Sequence, residues 1–146
     1  MIQLDAIPQA PRRHSRPCLT IGTLGRFVKK KGMVVLIKAL HLLNLQGISF
    51  RAVIAGSGPE ADHIQSLTQQ LGIADKVSFP GWVDDKDTFF NDLDIFCLPS
   101  LHEPFGITLL EAFAYQTPLV ATRTEGPSEI VTHNDNGLLC DVNDSH

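Results

Sequence analysis

The chain has 146 residues, of which 43% are hydrophobic and 19% charged, with 12 basic against 16 acidic side chains and a net charge of −4. That length fits one domain of about 100–150 residues, which buries roughly 70% of its unfolded surface and folds without disulfides or metals. It excludes two full α/β domains, so an activity that needs a cleft between two such domains is expected to be incomplete in this chain. The charge excludes the basic excess of a nucleic-acid binder.

Residues 1–17 carry Pro8, Pro11 and Pro17 among Arg12, Arg13 and Arg16. They hold no apolar run like that of a signal peptide and predict an extended linker entering a domain at 18–146. Residues 18–24 are apolar and β-rich and predict a strand, which Gly25 ends. Residues 33–46 predict a helix that is apolar except at Lys38, His41 and Asn44, a narrow wet stripe, and Gly47 closes it. Residues 50–55 predict a second strand. Gly56-Ser57-Gly58-Pro59 follows, and Pro59 suits the first turn of a helix running to about Leu71. Residues 76–79 predict a short strand. Residues 84–92 predict a short helix with acids at its start, where the dipole favours them. Residues 94–98 predict a buried strand ended by Pro99. A helix over 107–116, a strand over 118–122, a helical turn over 127–132 and a short strand over 137–140 complete the pattern.

Apolar strands alternating with helices indicate βαβ units and a parallel sheet, covered on both faces. Ligands bind at the carboxyl ends of such strands. The loops to examine are therefore 25–32, 56–59, 80–85, 99–106 and 123–127. Cys18, Cys97 and Cys140 form no C-x-x-C pair. Cys97 and Cys140 lie in apolar runs and read as small buried hydrophobes, which suits a reducing cytoplasm. No apolar run approaches the ~20 residues that span a bilayer.

Gly56-Ser57-Gly58-Pro59-Glu60-Ala61 matches the loose form of the dinucleotide fingerprint. The next strand ends without the required acid, and Pro59 lacks an N–H, so a tight strand-to-helix turn accounts for both glycines. A phosphorylation-receiver site is rejected, because the first strand ends at Gly25-Arg26 rather than at clustered acids. Lys29-Lys30-Lys31 reads by itself as a solvated loop. Arg26 and Lys31 nonetheless lie on the ligand side of the sheet. Two cations there would stabilise a departing diphosphate more than the ground state.

Glu103 follows a buried strand, and Gly106 precedes a helix whose first free N–H groups come from about Gly106 to Leu109. Such an N-terminus is an anion site. Glu103 reads either as the capping acid of that helix or as a ligand for sugar hydroxyls. Glu111 lies roughly 6–8 Å further along the axis and reads either as a solvated position or as a hydroxyl-binding carboxylate. His102 reads as an incidental loop histidine.

Five pieces stand in order: Gly25-Arg26 with Lys31-Gly32; Ala55 to Pro59; Val77, Phe79, Gly81 and Val83; Glu103-Pro104-Phe105-Gly106 through Glu111-Ala112; and Glu125-Gly126 with Glu129-Ile130-Val131. Together they resemble the C-terminal, donor-binding domain of the retaining glycosyl transferases group 1 family, over nearly all of Leu19 to Val142. The resemblance implies a Rossmann-like three-layer sandwich that is one half of a GT-B fold. It implies a nucleoside-diphosphate sugar as donor substrate, no cofactor and no metal, and transfer of a hexosyl group with retention. By matching position, Arg26 and Lys31 would hold the diphosphate, with Gly25 beside them, and Glu103 would face the sugar. The backbone of Phe105, Gly106 and Ile107 would sit beside sugar and phosphates. Thr108 and Leu109 would offer amides to phosphate, and Glu111 would bind the ribose. Trp82 and Val83 would lie by the base, with Trp82 equally readable as a core or surface aromatic.

Family enzymes carry an N-terminal acceptor-binding domain and usually continue into further helices. The expectation is therefore a domain truncated at its C-terminus, with the faces those helices would cover left exposed. It is expected to be inactive alone, and any peripheral membrane association would run through the full-length enzyme. A non-catalytic sugar-nucleotide-binding or interaction module is the other reading, favoured by the absent acceptor domain. A sugar-nucleotide epimerase half is disfavoured by the Glu103-to-Glu111 string.

Overall fold

Strand and helix formers separate along the chain as their periodicity requires. The computed structural model describes residues 18–146, and the linker expected at 1–17 lies outside the described residues. In order come β1 (Leu19–Leu24), α1 (Met33–Leu45), β2 (Phe50–Ala55), α2 (Ala61–Gln70), β3 (Val77–Ser78), α3 (Lys86–Asp92), β4 (Ile95–Leu98), α4 (Ile107–Ala114), β5 (Leu119–Thr122), α5 (Glu125–Ile130) and β6 (Leu138–Cys140). The strands form one parallel sheet in the order β3-β2-β1-β4-β5-β6. The chain thus starts in the middle, winds outward to β3, returns to β4 and winds the other way.

Alternating residues of each strand feed opposite faces, as the two-residue period demands. Ile21, Phe50, Ala52 and Ile54 pack with Met33, Ile37 and Leu40 of α1 and Ile64 of α2. Leu24, Phe96, Leu98 and Ala121 pack with Phe89 and Phe90 of α3 and Leu109 and Ala112 of α4. The result is the expected three-layer α/β sandwich. No helix among the described residues is long and apolar enough to cross a membrane.

The elements differ from the sequence pattern at their ends. Lys29–Lys31 is a turn of 3-10 helix rather than open loop. Pro59 stands before α2, because Glu60 N first donates to Phe27 O at 2.9 Å and the helix begins at Ala61. The third strand shrinks to two residues, with Lys76 taken by a 3-10 turn. α4 stops at Ala114, and Gln116 beyond it has a left-handed φ of 56°. α5 starts at Glu125, two residues earlier than expected; Pro127 stays in its first turn, where a missing N–H costs nothing. Cys97 and Cys140 are free and half-buried rather than buried. They line a cavity of about 160 Å³ together with Val35, Ala39, Val120 and Thr122. Burial still pushes the Cys97 thiol up to about 12.

Gly32 fixes a close approach between two loops. Its φ is +69°, and a Cβ there would lie 2.0 Å from the carbonyl oxygen of Pro99. The loop after β1 therefore lies backbone to backbone against the loop after β4. Gly32→Ala is expected to destabilise the chain by about 2–4 kcal/mol, the sum of left-handed strain and overpacking. Urea denaturation measures it, and an unchanged midpoint would refute the contact.

Candidate functional site

In an open parallel sheet a crevice forms at the carboxyl ends of the strands where the winding reverses, and the reversal falls between β1 and β4. The loops along this rim are laced by backbone hydrogen bonds. Gly56 N donates to Gly81 O, Phe27 N to Ser57 O, Leu101 N to Lys30 O and Gly126 N to Glu103 O, each at 2.8 Å. The loops after β3, β2, β1, β4 and β5 are thereby one continuous edge. The tight turn at Gly56 is part of that lacing: a Cβ there would meet Gly25 O at 1.8 Å.

Lys31 and Glu103 meet at the reversal. Lys31 Nζ donates to Glu103 Oε2 at 2.6 Å, across 72 positions of sequence. Glu103 Oε1 accepts from Gly106 N at 3.3 Å. Glu103 thus caps the approach to α4 and also holds the lysine. Burial alone would raise the Glu103 carboxyl, but Lys31 and the amides of Gly106 and Phe105 outweigh it and hold the group below its ordinary value. A carboxylate has about four acceptor sites and an ammonium three donors, so both keep capacity for a ligand.

The start of α4 is open. Leu109 N is taken by Gly106 O at 3.0 Å and Gly106 N by Glu103. Of the four amides expected to be free, those of Ile107 and Thr108 have no internal acceptor among the described residues. With the helix dipole they form an anion site. Arg26, exposed beside half-buried Gly25, stands in the loop that carries Lys31. Trp82, Phe105 and Ile107 are 59%, 72% and 61% exposed, an apolar lining along the same rim. Val83 packs partly into the core.

Glu111 sits at the edge of the buried face of α4. Its Oε1 accepts from Lys86 Nζ at 2.8 Å. Its Oε2 is buried with no hydrogen-bond partner among the described residues. One turn on, the Tyr115 hydroxyl donates to Asp87, and burial, then Asp87, push that phenol up to about 12. The tripeptides Asp85-Lys86-Asp87 and Asp92-Leu93-Asp94 have the D-x-D spacing, but their acids already have structural work. Asp85 caps α3 by accepting from Thr88 N at 3.0 Å, and Asp94 accepts from Thr20 N at 2.8 Å. His102 Nδ1 lies 3.3 Å from Glu125, both largely exposed.

The fold therefore brings Lys31, Glu103, Gly106 and the first amides of α4 together, and gives Glu111 a partner that the motif pattern does not contain. Lys86 stands among acids in a short amphipathic helix. Only the packing of α3 on α4 shows where its charge goes.

The sequence profile of the glycosyl transferases group 1 family matches residues 12–146. The chain belongs to that family. It is 39% identical over 123 residues to the lipopolysaccharide core biosynthesis glycosyltransferase LpsE of Rhizobium meliloti, covering 84% of this chain and 35% of the relative. The match to LpsD of the same organism is 36% over 121 residues, 83% and 34% of the two chains. The chain spans about a third of the length of the curated relatives it matches. Among solved structures, Anabaena HepE in complex with UDP and glucose superposes with a TM-score of 0.81 at 28% identity, covering 88% of this chain and 36% of that one. The C-terminal domain of the group 1 protein LpcC from Francisella tularensis superposes with a TM-score of 0.77 at 27% identity, covering 87% and 69%. The fold is the Rossmann-like architecture of one half of a GT-B fold.

Because Glu103 is held below its ordinary value of 4.5, its ionised form contributes stability that is present above that pH and lost as pH falls below it. Glu103→Gln is expected to lower stability at pH 7 and to flatten the acid limb of the stability profile. Thermal unfolding from pH 7 to pH 3 measures both, and an acid limb equal to the parent's would refute the pairing.

Proposed function

We propose that this chain is the donor-binding half of a glycosyltransferase that moves a hexosyl group from a nucleoside-diphosphate sugar to an acceptor hydroxyl with retention of configuration. The observation that carries the proposal is the anion site at the reversal point. The open amides of Ile107 and Thr108 lie beside the Lys31–Glu103 pair, in a fold whose neighbour HepE holds UDP and glucose. A UDP-sugar is the donor this comparison favours.

In this reading the diphosphate sits at the start of α4, where the helix dipole and the two amides meet it. Arg26 and the spare donors of Lys31 neutralise the charge that grows on the leaving phosphate, as a metal ion would elsewhere, so stabilisation rises as the bond breaks. Glu103, fixed by Lys31, accepts from sugar hydroxyls, and Glu111 accepts from the ribose. Gly25 leaves the phosphates room, and Trp82 and Val83 border the base. Phe105 and Ile107 shield the sugar from water. No cofactor is needed for such a displacement. The acceptor and the second wall of the cleft belong to an N-terminal acceptor-binding domain, and the enzyme works in the cytoplasm, where nucleotide sugars are available.

Calorimetric titration of the folded chain with UDP, GDP and ADP is expected to give heat with UDP, and incubation with a UDP-sugar and candidate acceptor hydroxyls to give no sugar transfer. Arg26→Ala and Glu111→Ala are each expected to weaken UDP binding by about tenfold or more with unchanged circular dichroism. No heat from any of the three nucleotides would overturn the donor site. Sugar transfer by the chain alone would overturn its assignment as half of an enzyme.

A further inference from the structure

We infer that Lys86 is a positioning residue for nucleotide recognition: it fixes one oxygen of Glu111 so that the other, Oε2, faces the ribose hydroxyls. The inference rests on the donor-site assignment above and adds a residue that lies in none of its motifs.

The geometry separates the two oxygens of one carboxylate. Oε1 lies 2.8 Å from Lys86 Nζ, while Oε2 is buried and unpartnered among the described residues. A buried carboxylate oxygen without a donor carries the full cost of its lost hydration. A ligand hydroxyl arriving at Oε2 would relieve that cost. Glu111 has three rotatable side-chain bonds, and freezing them is itself unfavourable. Lys86 makes that arrangement before any ligand arrives.

Lys86 is itself held. It opens α3, whose cap is the Asp85–Thr88 hydrogen bond. Phe89 and Phe90 of α3 are buried in the core that also takes Leu109 and Ala112 of α4. Beside Lys86, Asp87 accepts from Tyr115 just past the end of α4, and the Tyr115 ring stacks on Phe90 at 5.0 Å and 8°. The two helices are thus tied by two neighbouring side chains of α3 and a shared core. The Lys86 side chain is 42% exposed and that of Glu111 14%. Because the lysine end is open to water, the pair adds only modestly to stability, and its orienting effect reads out in binding.

The test compares UDP with its 2′,3′-dideoxy form on the parent chain, Lys86→Ala, Lys86→Arg, Glu111→Gln and the Lys86→Ala/Glu111→Gln double variant, by calorimetry. The expected result is that Lys86→Ala weakens UDP binding roughly fivefold, that Lys86→Arg restores most of it, and that 2′,3′-dideoxy-UDP binds parent and Lys86→Ala equally. Lys86→Ala should cost nothing further once Glu111 is Gln, the signature of one residue acting through the other. Equal UDP affinity of parent and Lys86→Ala overturns the inference. So does an equal loss for UDP and its dideoxy form, which would make Lys86 a direct phosphate ligand or a merely structural group. Both results leave the donor site standing. If the parent binds UDP and the dideoxy form equally, Glu111 is not a ribose ligand and the inference fails while the donor site stands; if it binds none of UDP, GDP and ADP, the donor assignment fails and this inference fails with it.

Discussion

The ion pair between Lys31 and Glu103 is the interaction on which the candidate site depends. Glu103 is buried, and a buried carboxylate without partners is strongly unfavourable. Its position is tolerable because Lys31 reaches one oxygen at 2.6 Å and the Gly106 amide the other at 3.3 Å. The Gly106 amide is local, three residues along the same loop, but Lys31 comes from a loop that only the doubly wound topology makes a neighbour. β1 and β4 are adjacent because the winding reverses between them, and Gly32 lets the two loops touch at Pro99. With Arg26 exposed and the amides of Ile107 and Thr108 open among the described residues, the rim stays attractive to anions although the chain as a whole carries −4.

α4 serves the site with both of its ends. Leu109 and Ala112 are fully buried, which fixes the rotation of the helix about its axis. With that face pinned, 3.6-residue geometry leaves Ile107 and Leu110 outward and sets Glu111 at the boundary between core and rim. A helix of eight residues is marginal by its own propensity. Its orientation is imposed by the core and by its ties to α3, and the Glu111 carboxylate inherits its placement from packing rather than from helix strength.

Much of this was legible in the sequence. The runs at 50–55 and 94–98 are apolar and short, and both became strands of a parallel sheet, because two-sided burial leaves little choice of residue. Helix ends were less legible. Whether Pro59 lies inside a helix or in the turn before it depends on the Glu60–Phe27 hydrogen bond, a contact between segments over thirty positions apart. Cys97 and Cys140 look like core residues in the sequence, yet coverage is a property of neighbours, and they border a cavity instead. Arg26, Lys31, Glu103 and Glu111 could be singled out by their loops and motifs. That Glu103 would cap and pair at once, and that Lys86 would meet Glu111, follows only from the three-dimensional adjacency of β1 with β4 and of α3 with α4.

The arrangement also bears on how binding and transfer divide. Each side chain assigned to the donor lies on one rim of one sheet. In the proposed reading that rim grips the nucleotide, whose charge and hydroxyls match fixed cations, amides and carboxylates. In that reading, recognition of the nucleotide is intrinsic to this lobe. Transfer differs in kind. An acceptor hydroxyl must reach the anomeric carbon from a side the rim does not occupy, and water must be kept from the same carbon. The exposed side chains of Phe105 and Ile107 can exclude water only when something closes over them. On the proposed reading the division of labour runs through the sugar itself: the phosphate side is served by this domain, and the reacting carbon stays open until a second surface meets it.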